Sequence, residues 1–165
     1  MNHKTLILVR HAKSDWDSAV ATDHERTLNK RGLHDAPMMG KRLTDAGVRP
    51  DLIISSSATR ARTTAQLIAT EIGYNRDNIN ISSKIYDAGL HDLTTIVHGL
   101  DSSLKQVILV GHNPAITTLV NWLSDSSITN IPTCGIATLQ IASNSWGDFT
   151  QTAAELLQYD YPKRG

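Results

Sequence analysis

The chain has 165 residues, enough for one domain, 1–165, with a single well-buried core. Its 16 Lys and Arg balance 16 Asp and Glu, so no basic excess marks it for nucleic acid or for an anionic membrane. The single cysteine, Cys134, excludes an intramolecular disulfide framework, and the apolar runs are too short for a membrane span or a signal-peptide core, so a soluble, cytoplasmic protein is expected.

The first element in chain order is TLILV (5–9), a run too short for a helix and suited to a strand buried on both faces. It ends on Arg10-His11, two side chains that a core would exclude. Leu33, Ala36, Gly40 and Leu43 then recur at helical spacing, with Pro37 inside the pattern predicting a kink or a later start. A second strand, DLIIS (51–55), runs into Ser55-Ser56-Ser57. Ala58, Ala61, Ala65, Ile68 and Ile72 mark the next helix, which Gly73 stops. A weaker strand over 79–86 and a helix from about Asp92 to Leu100 follow.

The third strong run, QVILV (106–110), ends in Gly111-His112-Asn113-Pro114. Asn113 reads as the N-cap of a helix with Pro114 at its first position, and Leu119, Val120 and Leu123 form that helix's apolar face. GIATLQIA (135–142) and AELLQYDY (154–161) read as two final strands forming a hairpin. Strands alternating with helices imply a three-layer α/β/α sandwich around a mostly parallel sheet.

In such sheets ligands bind beyond the carboxyl ends of the strands. Three of those ends carry Arg10-His11, Ser57 with Arg60 and Arg62, and His112. If Ser57 caps the second helix, Arg60 stands third in it, beside backbone N–H groups that favour an anion. Arginine forks and a histidine donor suit a tetrahedral anion such as phosphate. A neutral imidazole is also a nucleophile toward phosphorus, and nearby cations keep it neutral. This chemistry needs no metal and no cofactor.

Taken singly, each of these residues has a plainer reading as a surface loop or a solvated helix end. His3, His24, His34, His91 and His98 show no metal-ligand spacing and read as surface or capping residues. Trp16 reads as a loop anchor rather than a stacking platform, and Cys134 as a small buried hydrophobe. No P-loop, dinucleotide-binding or nucleophile-elbow pattern occurs.

With LILVRHAKSDW (6–16), RTLNKRG (26–32), DLIISSSATRARTTA (51–65), IYDAG (85–89) and VGHNP (110–114) assembled in order, the sequence resembles the histidine phosphatase superfamily. Within it, the short SixA-type phosphohistidine phosphatases are most similar. The resemblance implies a phosphoglycerate mutase-like fold in which His11 is the nucleophile that forms a phosphohistidine, and Arg10, Arg60 and His112 hold the phosphoryl group. It also implies that Arg26 reaches the same pocket and that Asp87 stands nearest the family's general acid, with turn capping as the other reading of Asp87.

Three positions depart from the superfamily pattern. Ala12 replaces a glycine, as it does in SixA-like members, and Ser57 replaces a proline that many relatives have. Asp17 stands where mutase-like relatives often carry a phosphate-binding asparagine, and an ionised carboxylate there would repel the anion. Mutase activity is therefore disfavoured. The expected activity is that of a metal-independent phosphatase acting on a phosphohistidine-bearing protein, without nucleic-acid or membrane partners. A non-catalytic phospho-group reader using the same cationic pocket is the alternative.

Overall fold

A computed structural model describes residues 2–16 and 22–164. Six strands form one sheet in the order β3-β2-β4-β1-β5-β6. Their ranges are β1 Lys4–Arg10, β2 Leu52–Ser56, β3 Asn80–Ser82, β4 Gln106–Gly111, β5 Ile136–Ile141 and β6 Glu155–Asp160. The pairs β1–β4, β2–β4 and β2–β3 are parallel, whereas β5 is antiparallel to both β1 and β6. The expected mostly parallel sheet with a C-terminal antiparallel pair is therefore present.

Alternation along the central strands divides the core in two. Leu6 and Leu8 of β1 join Val107 and Leu109 of β4 on one face, against α3 (Leu90–His98) and α4 (Ala115–Ser124). Ile7, Val9, Ile108 and Val110 take the other face, against α1 (Lys30–Asp45) and α2 (Thr59–Ile72). All eight strand residues are fully buried, which explains why these runs read as continuously apolar.

Several boundaries differ from the sequence reading. Helix α1 starts at Lys30 and continues past Pro37 to Asp45, and its buried stripe is Gly32, Asp35, Ala36, Met39, Gly40 and Leu43, leaving Leu33 exposed. The strand expected over 79–86 is only three residues long and passes into a 3-10 turn at Ser83–Ile85. Helix α2 starts at Thr59 with Ala58 as N-cap, so Arg60 is its second residue and Ser57 caps nothing. Ser56 Oγ accepts from the Ala58 N–H instead, at 3.2 Å. Helix α4 starts at Ala115, one residue later than expected, but Asn113 Oδ1 still accepts from the Thr117 N–H at 3.2 Å.

Register places the site. Arg10 of β1 lies level with Gly111 of β4, and Ser55 of β2 lies level with Val110. Three parallel neighbours thus end at one height, with His11, His112 and Ser56-Ser57 just at or beyond their carboxyl ends.

Candidate active site

His11 follows directly on β1. Its backbone N–H donates to the Gly111 carbonyl at 3.0 Å, extending the β1–β4 ladder by one rung. The loop behind it is fixed from both sides: the Ala12 N–H donates to Thr64 Oγ1 at 2.9 Å, and the Cys134 N–H donates to the carbonyls of Arg10 and His11 at 3.0 Å. Ala12 is fully buried, which fits a small side chain at this position. The imidazole Nδ1 lies 2.8 Å from the Ala12 carbonyl. A carbonyl only accepts, so Nδ1 carries the proton and Nε2 keeps its lone pair.

His112 stands across from it, with ring centroids 5.1 Å apart. Its Nε2 is hydrogen-bonded to Ser56 Oγ at 2.7 Å, while Nδ1 is buried without a partner. Burial pushes His11 down to about 3, with His112, Arg60 and Arg10 adding to the shift. Burial followed by Arg60 pushes His112 down to about 4. Both rings are neutral at pH 7.

A cavity of about 290 Å³ is lined by Arg10, His11, Lys13, Ser14, Trp16, Arg26, Arg60, His112, Asn113 and Thr133. Arg10 donates to the Ile131 carbonyl at 2.8 Å, and its Nε is buried and unpartnered, as is the Nε of Arg60. Five expected site residues, His11, Arg10, Arg60, His112 and Arg26, therefore share one cavity. Asp87 does not share it. This residue is exposed and lies along a different surface groove, with Ser83, Lys84, His91 and Asp92. Asp17 lies outside the described residues.

A further group, not marked by any strand-end pattern in the sequence, completes the site. The Asp23 carboxylate accepts from Arg60 at 3.1 Å, from Arg26 Nε at 3.0 Å and from the Tyr86 hydroxyl at 2.5 Å. Arg60 also donates to the Asp23 carbonyl at 2.8 Å. The Tyr86 hydroxyl and the two guanidinium groups hold the Asp23 carboxyl below its ordinary range, against the opposing effect of burial. It is a carboxylate at neutral pH, turned toward the arginines.

Tyr86 meets the His112 ring edge-on at 5.6 Å and His24 at 4.7 Å, and His24 is hydrogen-bonded to Ser57 Oγ at 2.8 Å. His24 is thus part of the site's second layer rather than a surface residue. The signals were a three-residue spacing from Asp23 to Arg26 and a tyrosine beside Asp87 in IYDAG. Trp16 also departs from its expected role. It is 77% exposed, and the Arg26 guanidinium lies over its ring at 4.0 Å, so it is a stacking platform at the rim. Cys134 is buried as expected, and burial pushes its thiol up to about 12.

Comparison with known proteins gives a consistent set of likenesses. A family model described as the histidine phosphatase superfamily (branch 1) matches residues 6–84. An uncharacterised chloroplastic protein of Arabidopsis thaliana is 33% identical over 151 residues, covering 87% of this chain and 69% of the relative. An uncharacterised protein of Mycobacterium tuberculosis is 29% identical over 165 residues, covering 94% of this chain and all (100%) of the relative. Among solved structures, a candidate phosphohistidine phosphatase SixA from Agrobacterium tumefaciens superposes with a TM-score of 0.80 at 26% identity, covering 96% of this chain and 98% of that one. The protein histidine phosphatase SixA complexed with tungstate gives a TM-score of 0.83 at 16% identity, with coverage of 97% and 98%, a likeness of fold.

Proposed function

The chain belongs to the histidine phosphatase superfamily, and from that premise we propose that it is a metal-independent phosphohistidine phosphatase acting through a covalent intermediate on His11. The observation that carries the reading is the state of His11: buried, neutral, protonated on Nδ1 and therefore nucleophilic at Nε2, in a cavity lined by three arginines. In the first step the Nε2 lone pair attacks phosphorus and the bond from phosphorus to the substrate's imidazole nitrogen breaks. That nitrogen keeps the bonding pair and takes a proton from solvent. Water then attacks the phosphorus on His11, releases inorganic phosphate and returns the lone pair to Nε2.

Arg10, Arg60 and Arg26 supply fixed positive charge to the transferring group, and His112 supplies a hydrogen bond once Ser56 donates to its Nε2 and leaves the proton on Nδ1. The buried, unpartnered donors of Arg10 and Arg60 gain acceptors when an anion enters. The donor set is cationic, which suits an anion rather than a metal ion. Among the described residues no group of three or more His, Cys, Asp or Glu is arranged to hold a metal.

Substrate choice follows from the cavity wall, which carries no acid among the described residues. Asp23 is ionised and engaged by arginines, and Asp87 lies outside the cavity, so neither is placed to protonate an alkoxide. An imidazole leaves more readily than an alkoxide, which favours a phosphohistidine over an alkyl phosphate ester. The buried lone cysteine fits a reducing compartment, with the cytoplasm as the proposed location.

The test is hydrolysis of a phosphohistidine-bearing protein by wild type and by His11→Ala, each with and without EDTA. The reading expects turnover that survives chelation and falls by at least about 10³-fold in the variant. Near-normal turnover by His11→Ala contradicts the covalent mechanism. Tight tungstate binding with no turnover of any phosphohistidine protein would instead support the non-catalytic reader.

A further inference from the structure

A second cavity, of about 360 Å³, adjoins the first and shares Lys13 and Thr133 with it as a common wall. It is the larger of the two, and none of the phosphotransfer chemistry uses it. Arg31 and Asp35 of α1 form one side, and Pro132, Tyr161, Pro162 and Lys163 form the rest.

Its charge is lopsided. Asp35, the one acid in the wall, is buried and already paired through both oxygens, with Arg31 at 3.3 Å and His34 at 3.2 Å. Among the described residues, Lys13 and Lys163 form no ion pair. Two ammonium groups and a guanidinium therefore face a single engaged carboxylate, over an apolar floor of two prolines and a tyrosine ring.

The walls are also preset. Arg42 donates to both oxygens of the Asp160 carboxylate at 3.2 Å and to the carbonyls of Tyr161 and Pro162 at 3.1 Å, which fixes the C-terminal turn against α1. The Lys13 carbonyl accepts from the Asn29 N–H at 3.0 Å and lies so near Gly32 that a Cβ there would come within 2.2 Å of it. The backbone that carries Lys13 and the 160–162 segment is therefore held in place before a ligand enters.

We propose that this second cavity is a subsite for an acidic side chain of the phosphorylated protein, a glutamate or aspartate near the phosphohistidine in sequence, while the phosphoryl group occupies the neighbouring cavity. The cations meet the carboxylate, and the prolines and Tyr161 cover the methylene and backbone portions beside it. The shared wall at Lys13 and Thr133 makes a residue flanking the phosphohistidine the natural occupant. The proposal rests on the phosphatase reading only in seating the phosphoryl group next door.

The test uses labelled peptides carrying a non-hydrolysable phosphohistidine analogue, flanked either by glutamates or by glutamines, and reads affinity by fluorescence anisotropy at low salt. In parallel, turnover of phosphoramidate, too small to reach the second cavity, is measured. The glutamate peptide is expected to bind about fivefold to tenfold more tightly than the glutamine peptide, with the difference fading as salt rises. Lys163→Glu, an exposed change, removes that preference and leaves phosphoramidate turnover unchanged; Arg31→Gln reduces it. Equal affinity of the two peptides for wild type overturns the proposal, as does a preference that survives both variants. Peptide discrimination without any turnover would overturn the phosphatase reading and leave the subsite standing, whereas turnover without discrimination does the reverse.

Discussion

At the scale of single residues, the chemistry of the site depends on which groups are charged. His11 is held neutral down to about pH 3 by burial and by its cationic neighbours, so kcat/KM should show no acid limb near 6.5, the ordinary histidine value. A pH profile of kcat/KM between pH 5 and 8 checks this, read against the substrate's own phosphoryl titration at about 6. An added limb near 6.5, lost from binding measurements on His11→Asn, would mean that the free enzyme carries a charged His11. Asp23 is the second decisive residue, because it fixes Arg60 and Arg26 at once. Asp23→Ala should lower kcat/KM by about tenfold or more, with Asp23→Glu in between, since a misplaced guanidinium forfeits its fork geometry on the anion. Steady-state kinetics on one substrate decide it; unchanged kinetics in Asp23→Ala would remove Asp23 from the site's machinery. Arg10, His11 and His112 were legible in the sequence because they stand at or directly after strand ends, and Arg60 because it lies in the first turn of the helix that follows β2. Asp23 was not, since it sits on a short 3-10 turn, Asp23–Glu25, with no periodic pattern to locate it.

At the scale of elements, Gly32 links α1 to the loop behind His11. A Cβ at this position would lie 2.2 Å from the Lys13 carbonyl, so Gly32→Ala must push the 12–14 loop off the helix. Gly40→Ala is a useful contrast, since its Cβ would meet Ile68 Cα and Glu71 Cβ at 3.1 and 3.0 Å, in the α1–α2 packing away from the site. Both variants should lose roughly 1–3 kcal/mol of stability by urea unfolding, but only Gly32→Ala should lose activity beyond what the unfolded fraction explains. Equal activity in the two would detach Gly32 from the site. The central strands were legible because runs such as LILV and VILV have no polar face. Boundaries were less so. Ser57 reads as a helix cap in sequence, yet Ser56 takes the Ala58 N–H and Ser57 turns to His24. Two adjacent serines offer the same chemistry, and only packing chooses between them. Leu33 likewise matched the helical period but faces solvent, because the buried stripe of α1 is centred on Ala36, Met39 and Leu43.

At the scale of the whole molecule, the site is a stability cost that depends on pH. His11 and His112 titrate near 3 and 4 when folded and near 6.5 when unfolded, so between those values the unfolded chain binds the extra protons. Their contribution to stability is complete above about 6.5 and declines as pH falls toward 4. Tm should therefore drop between pH 7 and 5, and His11→Asn with His112→Asn should flatten that slope; calorimetry on both proteins measures it. An identical slope in the double variant would show that neither ring is held neutral. The layered fold follows from alternating strands and helices, and its sheet order could not be read from the chain. The placement of β4 between β1 and β2 brings His112 beside His11 across a hundred residues, an arrangement fixed by long-range pairing alone.

The most direct test of the covalent mechanism is to mix the protein with a phosphohistidine protein labelled on its phosphoryl group, quench within the first turnovers into alkaline denaturant, and map the label by mass spectrometry. One phosphoryl group on His11, absent from His11→Ala, is the predicted result. Steady turnover with no label on His11 at any quench time would contradict it.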